Sequence, residues 1–172
     1  MFTRQDPDHL VKWEQAEVTL RPETSDDVTF LEELVFSVRE GEIGFRELLL
    51  GERTRILKEQ ARLQSADYHK RFPGAHFVII QLAGKPIGRF YVDHTEERLR
   101  VIELSIMPLY QRHGIGHHLM KSVLAEGMRI QVPVVLSVEI GNPAQGFYEK
   151  LGFTVQKTGA SHHAMMWTPL MK

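Results

Sequence analysis

The sequence predicts a mixed α/β domain in which helices cover both faces of a central, mostly antiparallel sheet of about seven strands. Within 75–106, three strand-like runs follow one another across short turns, which is typical of an antiparallel meander. Within 101–140, a strand is followed by a helix and then by a second strand. Such a unit is most simply a right-handed crossover to a parallel neighbour. We therefore expect the sheet to begin antiparallel and to contain one parallel pair near its middle.

The composition limits the class of protein. The chain has 172 residues, with 21 basic side chains, 22 acidic side chains and no cysteine. We expect one domain over 1–172, with 1–16 as an N-terminal arm. The balanced charge offers no electrostatic footprint for nucleic acid. The absence of cysteine excludes disulfides and a thiolate nucleophile.

No apolar run in the sequence approaches the roughly 20 residues of a membrane span. The first residues also lack the apolar region of a signal peptide. We therefore expect a cytoplasmic protein that binds neither a membrane nor nucleic acid. The sequence is compatible with a homodimer and does not determine the oligomeric state.

The N-terminal half predicts one strand and two helical regions. Residues 18–22 alternate like a first strand. Residues 28–38 carry an amphipathic helical pattern, which we expect to end near Gly41. A second helical region lies within 45–70, and Gly51 interrupts its apolar cluster. We therefore expect this second helix to be split or irregular.

A glycine-containing loop joins a predicted strand to a predicted helix at the centre of the chain. The strand 101–107 alternates in polarity, and Pro108 ends it because proline lacks an N–H. Helical spacing begins at Ile115. Gly114 and Gly116 permit a tight turn and a close approach to a ligand. Because the first N–H groups of a helix lack internal partners and lie at its positive end, this loop predicts a cradle for phosphate.

Two familiar phosphate motifs are absent from this loop. It has no Gly-Lys-Ser/Thr of a Walker A motif and no third glycine of a dinucleotide fingerprint. An ordinary strand-to-helix turn with two incidental glycines is the alternative. The spacing Gln111-x-x-Gly114-x-Gly116, however, resembles the pyrophosphate loop of GNAT-type acyl-CoA N-acyltransferases, in which loop amides hold the diphosphate of coenzyme A.

A second motif follows the next predicted strand. Asn142 suits a helix cap, and Pro143 suits the first helical position. Gly152 suits the residue just beyond a short helix. The pattern Asn-x-x-x-x-x-Tyr-x-x-x-Gly-Phe over 142–153 resembles the other signature of GNAT proteins. By motif order, the resemblance covers roughly 75–168.

The resemblance implies a three-layer αβα fold whose sheet is splayed between its two central parallel strands. It also implies an N-acetyltransferase that moves an acetyl group from acetyl-CoA, its co-substrate, to a primary amine by direct attack. In the family, the strand before the loop pairs with the pantetheine arm, and one of its N–H groups faces the thioester carbonyl. The implied coenzyme A contacts are Ile106, Met107, Gln111, Arg112, His113, Gly114, Ile115, Gly116, His117, Asn142 and Phe147.

Two residues are candidates for proton transfer. Tyr148 stands at the family's general-acid position, where a phenol protonates the departing thiolate; a tyrosine that only packs in the core is the alternative. Glu103 alternates away from its apolar neighbours on a central strand, where a carboxylate is costly unless hydrated, paired or used. It is the candidate base, acting through water, and an ion pair with Arg89 is the alternative.

The histidines near the loop do not predict a metal site. His117 and His118 are adjacent and would point about 100° apart on a helix, which is poor ligand geometry. Neither they nor His113 have a cysteine or carboxylate at ligand spacing. We expect no metal, and we expect His117 to donate to a phosphate.

The sequence does not identify the amine that accepts the acetyl group. Small amino compounds, polyamines and a protein amine all fit, and by analogy with the family Tyr68, His69 and Arg71 are candidates to line the acceptor side. One alternative function is a non-catalytic acyl-CoA-binding sensor that controls a partner. Another is a nucleotide-binding domain of a different kind.

Overall fold

The computed structural model describes residues 11–13, 16–39 and 49–170. These residues form eight strands, four α-helices and two 3₁₀ turns. The strands are β1 Val11–Trp13, β2 Ala16–Pro22, β3 His76–Leu82, β4 Lys85–His94, β5 Leu99–Ile106, β6 Val134–Glu139, β7 Thr154–Thr158 and β8 His162–Trp167. The helices are α1 Val28–Arg39, α2 Leu50–Arg71, α3 Ile115–Ile130 and α4 Ala144–Lys150, and the 3₁₀ turns are Ser25–Asp27 and Pro108–Tyr110.

The strands form one mixed sheet in the order β1-β2-β3-β4-β5-β6-β8-β7. The predicted meander is β3, β4 and β5, and the predicted parallel pair is β5 and β6; both predictions are confirmed. All other neighbours in the sheet are antiparallel. Beyond the seven expected strands, the sheet contains the short β1, which lies within the predicted arm and pairs with β2.

Helices cover both faces of the sheet, because the central strands carry apolar side chains on both sides. Val78 and Ile80 of β3 belong to the buried cluster that contains the apolar side chains of α3. Ile79, between them, is fully buried on the opposite face. The predicted layer arrangement, with a sheet between two helical layers, follows from this two-sided burial.

The two central parallel strands separate after three residue pairs. Leu99 to Val101 pair with Val134 to Leu136, and the strands diverge beyond that point. A β-bulge in β5 leaves Ile102 without an opposite residue in β4, since Val92 pairs with Val101 and Tyr91 pairs with Glu103. The predicted splay of the sheet is therefore confirmed.

The second helical region differs from the prediction. It is one continuous helix, α2, and Gly51 lies in its first turn. Glycine there is less disruptive than in a helix interior, because the first N–H groups have no intrahelical bond to lose. Leu57 and Ala61 are buried and hold α2 in place by packing. The predicted end of α1 near Gly41 lies outside the described residues.

None of the described helices combines the length and the apolar character that crossing a membrane requires.

Candidate active site

A cleft of about 440 Å³ opens where β5 and β6 diverge. Its lining comes from α1, α2, β5, β6, α4 and β8. Both predicted catalytic residues, Glu103 and Tyr148, line this cleft, and so does Asn142. The cleft thus brings Glu103 near Tyr148 and Asn142, although α3 and β6 separate them in the sequence.

Glu103 lies on the α2 side of the sheet and has three partners. The Tyr68 hydroxyl donates to Glu103 Oε2 over 2.9 Å. The Ser105 hydroxyl donates to Glu103 Oε1. Arg89 Nη2 lies 3.5 Å from Glu103 Oε2, so the ion pair considered from sequence is present. The Glu103 side chain is 18% exposed and remains open to the cleft.

Arg89 is buried behind Glu103. Its side chain is 2% exposed, and its Nη2 donates to Gln64 Oε1 over 2.6 Å. Its guanidinium lies over the ring of Tyr91, with 5.3 Å from Cζ to the ring centroid. A buried guanidinium beside a carboxylate favours the ionised form of that carboxylate. Arg89 therefore forms the buried half of an ion pair with Glu103.

Tyr68 is held as a neutral phenol. Burial, and after it the negative charge of Glu103, raises the pKa of Tyr68 far above its ordinary value. The phenol therefore keeps its proton and donates to Glu103. Of the three residues expected on the acceptor side, only Tyr68 lines the cleft. His69 stacks on Phe77 with ring centroids 3.8 Å apart, and Arg71 pairs with Asp67 at 3.1 Å.

Tyr148 reaches the cleft from the other face of the sheet. It packs against the buried cluster that contains α3, and its ring lies edge-on to Phe153 with 5.9 Å between centroids. Burial, and after it the charge of Glu103, raises the pKa of Tyr148 to about 12. The phenol is therefore fully protonated at neutral pH.

The short helix that carries Tyr148 begins one residue later than the sequence predicts, with Pro143 as its N-cap, and Asn142 forms a turn just before it. Asn142 Oδ1 accepts a hydrogen bond from the Ala144 N–H over 2.9 Å. Gly152 follows the helix with φ of 93°, a backbone conformation that favours glycine. Phe147 is half-buried, and its ring centroid lies 5.2 Å from that of Tyr148.

The predicted phosphate loop is open to solvent at the start of α3. Gly114 precedes the helix with φ of 83°, and no described side chain caps the helix N-terminus. The four residues 111–114 are exposed, whereas Ile115 is buried and anchors the helix. The loop is therefore accessible beside an uncapped helix N-terminus, as a site for an anion requires.

Gly116 connects the loop to the cleft. A Cβ added at Gly116 would lie 3.7 Å from Ile106 Cδ1 and from Leu104 Cδ2. Leu104 itself lines the cleft. The start of α3 therefore packs directly on the end of β5, and the loop and the cleft are contiguous.

The structure separates the roles of Ile106 and Met107. The Met107 N–H donates to Ile87 O over 2.8 Å, so it faces β4 and is not available to a ligand. Because hydrogen-bonding direction alternates along a strand, the N–H and C=O of Ile106 face the gap toward β6. Gln111 Nε2 donates to Ile106 O over 2.7 Å, which agrees with this direction. Of these two residues, Ile106 is therefore the one whose N–H can face a ligand, and a contact of Met107 with coenzyme A stays a prediction.

Neither the contact of Ser105 with Glu103 nor the burial of Arg89 was predicted from the sequence. A signal for Ser105 was present, since residues two apart on a strand share a face and Ser105 follows Glu103 at that spacing. The burial of Arg89 depends on α2, which is remote in sequence. Within the described ranges, no group of three or more His, Asp or Glu side chains is arranged to hold a metal ion.

Comparisons with known proteins agree with this geometry. Residues 73–155 match the family model described as an acetyltransferase (GNAT) domain. That match runs from the start of the meander, through the loop and α4, into β7.

Solved structures share the fold at low identity. The structure of PaiA N-acetyltransferase from Thermoplasma acidophilum in complex with coenzyme A is 17% identical with a TM-score of 0.66, and the match covers 88% of this chain and 98% of that chain. An acetyltransferase from Thermus thermophilus is 20% identical with a TM-score of 0.62, covering 88% and 96%. Ard1 from Thermoplasma volcanium is 19% identical with a TM-score of 0.58, covering 90% and 99%. The chain therefore has the GNAT fold, and residues 73–155 match the GNAT acetyltransferase domain model.

Proposed function

We propose that this protein transfers the acetyl group of acetyl-CoA to a primary amine by direct attack of the amine on the thioester. The observation that carries the proposal is the cleft between β5 and β6, which has a paired carboxylate on one face and a protonated phenol on the other. The PaiA structure from T. acidophilum contains coenzyme A, which supports the choice of co-substrate.

The residues present fit the binding of coenzyme A. The loop amides from Arg112 to His117, with the His117 side chain, would hold the diphosphate at the uncapped start of α3. Arg112 is in the left-handed region with φ of 63°, as a loop that turns its amides to one side requires. The gap between β5 and β6 would receive the pantetheine arm, and Asn142 and Phe147 would contact it from α4.

Ile106 would polarise the thioester carbonyl. Its N–H faces the gap, while Gln111 fixes its carbonyl group. A donor aimed at a developing oxyanion commonly lowers the barrier by about 2.7–4 kcal/mol. The donor belongs to the backbone, so the side chain at this position contributes packing and no chemistry.

The acid and the base act from opposite faces of the sheet. Glu103 would take the proton of the incoming ammonium on the α2 side, where Tyr68 and Arg89 contact its carboxylate. Tyr148 would give its proton to the departing thiolate on the α3 side. With no cysteine in the chain, attack by the amine itself is the simplest route. The proposal includes one domain over 1–172 and no metal in the mechanism.

The test is a mass-spectrometric screen of the purified protein with acetyl-CoA and a library of primary amines. We expect one class of amine to gain an acetyl group at the expense of acetyl-CoA. Binding of coenzyme A without turnover on any amine would contradict transfer and favour the sensor alternative.

A melting experiment tests the choice of co-substrate separately. A ligand at 100 times its Kd stabilises the folded state by about 2.7 kcal/mol. We expect acetyl-CoA to raise the Tm, with no comparable rise from ATP or NAD at equal concentration. A larger rise with ATP or NAD would assign the loop to another nucleotide.

A further inference from the structure

We infer that Ser105 is a catalytic residue that relays the proton of the acceptor ammonium to Glu103. This inference rests on the proposed function, because it concerns the route of the proton in the same cleft. It starts from the spacing of three positions on β5: the carboxylate of Glu103, the hydroxyl of Ser105 and the backbone N–H of Ile106.

The position of Ser105 lies between Glu103 and the end of the strand. A strand rises about 3.3 Å per residue, so the backbone of Glu103 lies about 10 Å from that of Ile106. With the thioester carbonyl bound to the N–H of Ile106, the attacked carbon would lie near the end of the strand. The carboxylate of Glu103 reaches along the strand as far as the Ser105 hydroxyl, so this hydroxyl would lie between the carboxylate and the amine.

Ser105 occupies the intervening position on the same face. Side chains two residues apart on a strand point to the same side, so Ser105 and Glu103 both face the cleft. The Ser105 hydroxyl already donates its proton to Glu103 Oε1. Its oxygen keeps acceptor capacity while it donates, so it could take a proton from the ammonium.

The other oxygen of Glu103 is occupied. Glu103 Oε2 accepts from Tyr68 over 2.9 Å and lies 3.5 Å from the buried Arg89. These two partners occupy Oε2, so the proton that Glu103 takes would go to Oε1. The hydroxyl that donates to Oε1 is that of Ser105.

The proton transfer balances as follows. The ammonium nitrogen gives one proton to Ser105 Oγ, while the hydroxyl proton of Ser105 passes to Glu103 Oε1. Ser105 ends unchanged, Glu103 becomes a neutral carboxylic acid, and the amine gains a free lone pair. The lone pair forms the new C–N bond, and the C–S bond breaks with its electron pair on sulfur. The sulfur takes the hydroxyl proton of Tyr148. The nitrogen then gives its second proton to the Tyr148 phenolate, which restores the phenol. The proton on Glu103 is released to solvent.

The experiment compares Ser105→Ala with two acceptors. The first is the alkyl amine that the screen selects, and the second is its analogue with the β carbon fluorinated, whose weaker basicity leaves far more of it neutral at neutral pH and so removes much of the need for deprotonation. We expect Ser105→Ala to lower kcat for the alkyl amine by about 10²-fold and to leave kcat for the analogue within a few-fold of the unmutated protein. Ser105→Thr, which keeps a hydroxyl, should restore most of the loss.

The matched control is Ser137→Ala, which removes a serine that lines the same cleft from β6 and is not a partner of Glu103. We expect this variant to treat both amines as the unmutated protein does. Equal losses with both amines in Ser105→Ala, or no loss with either, would overturn the relay. Melting temperature and coenzyme A affinity, measured in parallel, report whether each variant is folded. An unmutated protein that binds coenzyme A but acetylates no amine would contradict the proposed function instead.

Discussion

The environment of the Glu103 carboxylate is set by three other side chains. Alone on a central strand, an ionised carboxylate would be costly to bury. Tyr68, Arg89 and Ser105 supply donors to it, and each comes from a different part of the chain or of the strand. The ion pair and the catalytic role are therefore compatible, since Arg89 is buried behind the carboxylate while the cleft lies in front of it.

Tyr148→Phe tests the general acid. We expect kcat to fall by about 10²–10⁴-fold, because the thiolate would then leave without a proton donor. Coenzyme A affinity and Tm should stay close to their original values, because the ring still packs on Phe153. Steady-state kinetics and calorimetric binding measure the two effects. A kcat that does not change would remove Tyr148 from the mechanism without affecting the fold.

Gly114→Glu tests the phosphate loop, with Gly84→Glu as its matched control. Both glycines have positive φ, 83° and 77°, and an added Cβ meets no atom within 4 Å at either position. Both variants should therefore lose a similar stability, about 1 kcal/mol. Only Gly114→Glu places a carboxylate in the cradle, so only it should abolish coenzyme A binding in a titration. Equal affinity in the two variants would show that the diphosphate binds elsewhere.

At the scale of elements, the backbone groups near the end of β5 alternate between β4 and the gap toward β6. Ser105 and Met107 face β4 with their backbone groups, while Ile106 faces the gap. Gly88 of β4 permits this arrangement. A Cβ added at Gly88 would lie 2.4 Å from Ser105 O and 3.1 Å from the Cα of Ile106. The close approach of two backbones here fixes the end of β5 and, with it, the direction of the Ile106 N–H.

Gly88→Ala should therefore disturb the site through the sheet. We expect a loss of about 1–3 kcal/mol in the free energy of unfolding, because backbone atoms cannot move aside as a flexible side chain can. Denaturant unfolding measures it. Gly146→Ala in α4 is the control, since an added Cβ meets nothing within 4 Å there. That variant should gain about 0.5–1 kcal/mol from better helix propensity. A Gly88→Ala protein as stable as the original would show that the two strands tolerate a wider spacing.

At the scale of the whole molecule, the sheet keeps the acid and the base apart. Tyr148 belongs to the layer of α3 and α4, and Glu103 belongs to the layer of α1 and α2. They meet only because β5 and β6 separate after three residue pairs. An amine can therefore enter on one face while a thiol leaves on the other, so that neither proton transfer obstructs the other.

The pH dependence of folding also belongs to this scale. Arg21 of β2 donates two hydrogen bonds to Asp27, at 2.7 and 2.6 Å, and so ties the sheet to the start of α1. These bonds hold the pKa of Asp27 below its ordinary value of 3.8. Because the folded-state pKa is depressed, the ionised carboxylate stabilises the folded state above the unfolded-state pKa. This stability is lost as the pH falls from about 5 through the folded-state pKa.

Asp27→Asn should therefore lower stability at neutral pH by about 1–3 kcal/mol and flatten the stability profile below pH 5. Asp26→Asn, at the exposed neighbouring position, should leave the profile unchanged. Thermal melts over a series of pH values measure both variants. A profile for Asp27→Asn that still falls as steeply below pH 5 would place the acid sensitivity at other carboxylates.

The sequence alone determined the order of the elements, the position of the glycine-containing loop, the short helix after Asn142 and the two candidate catalytic residues. These follow from local rules, since periodicity, proline, glycine and capping residues act over a few neighbouring positions. Only the tertiary structure decided that α2 is continuous, that the Met107 N–H is used by β4, and that Arg89 and Ser105 contact Glu103. Those features depend on strand register and on the packing of segments remote in sequence, where a shift of one residue turns every side chain to the other face.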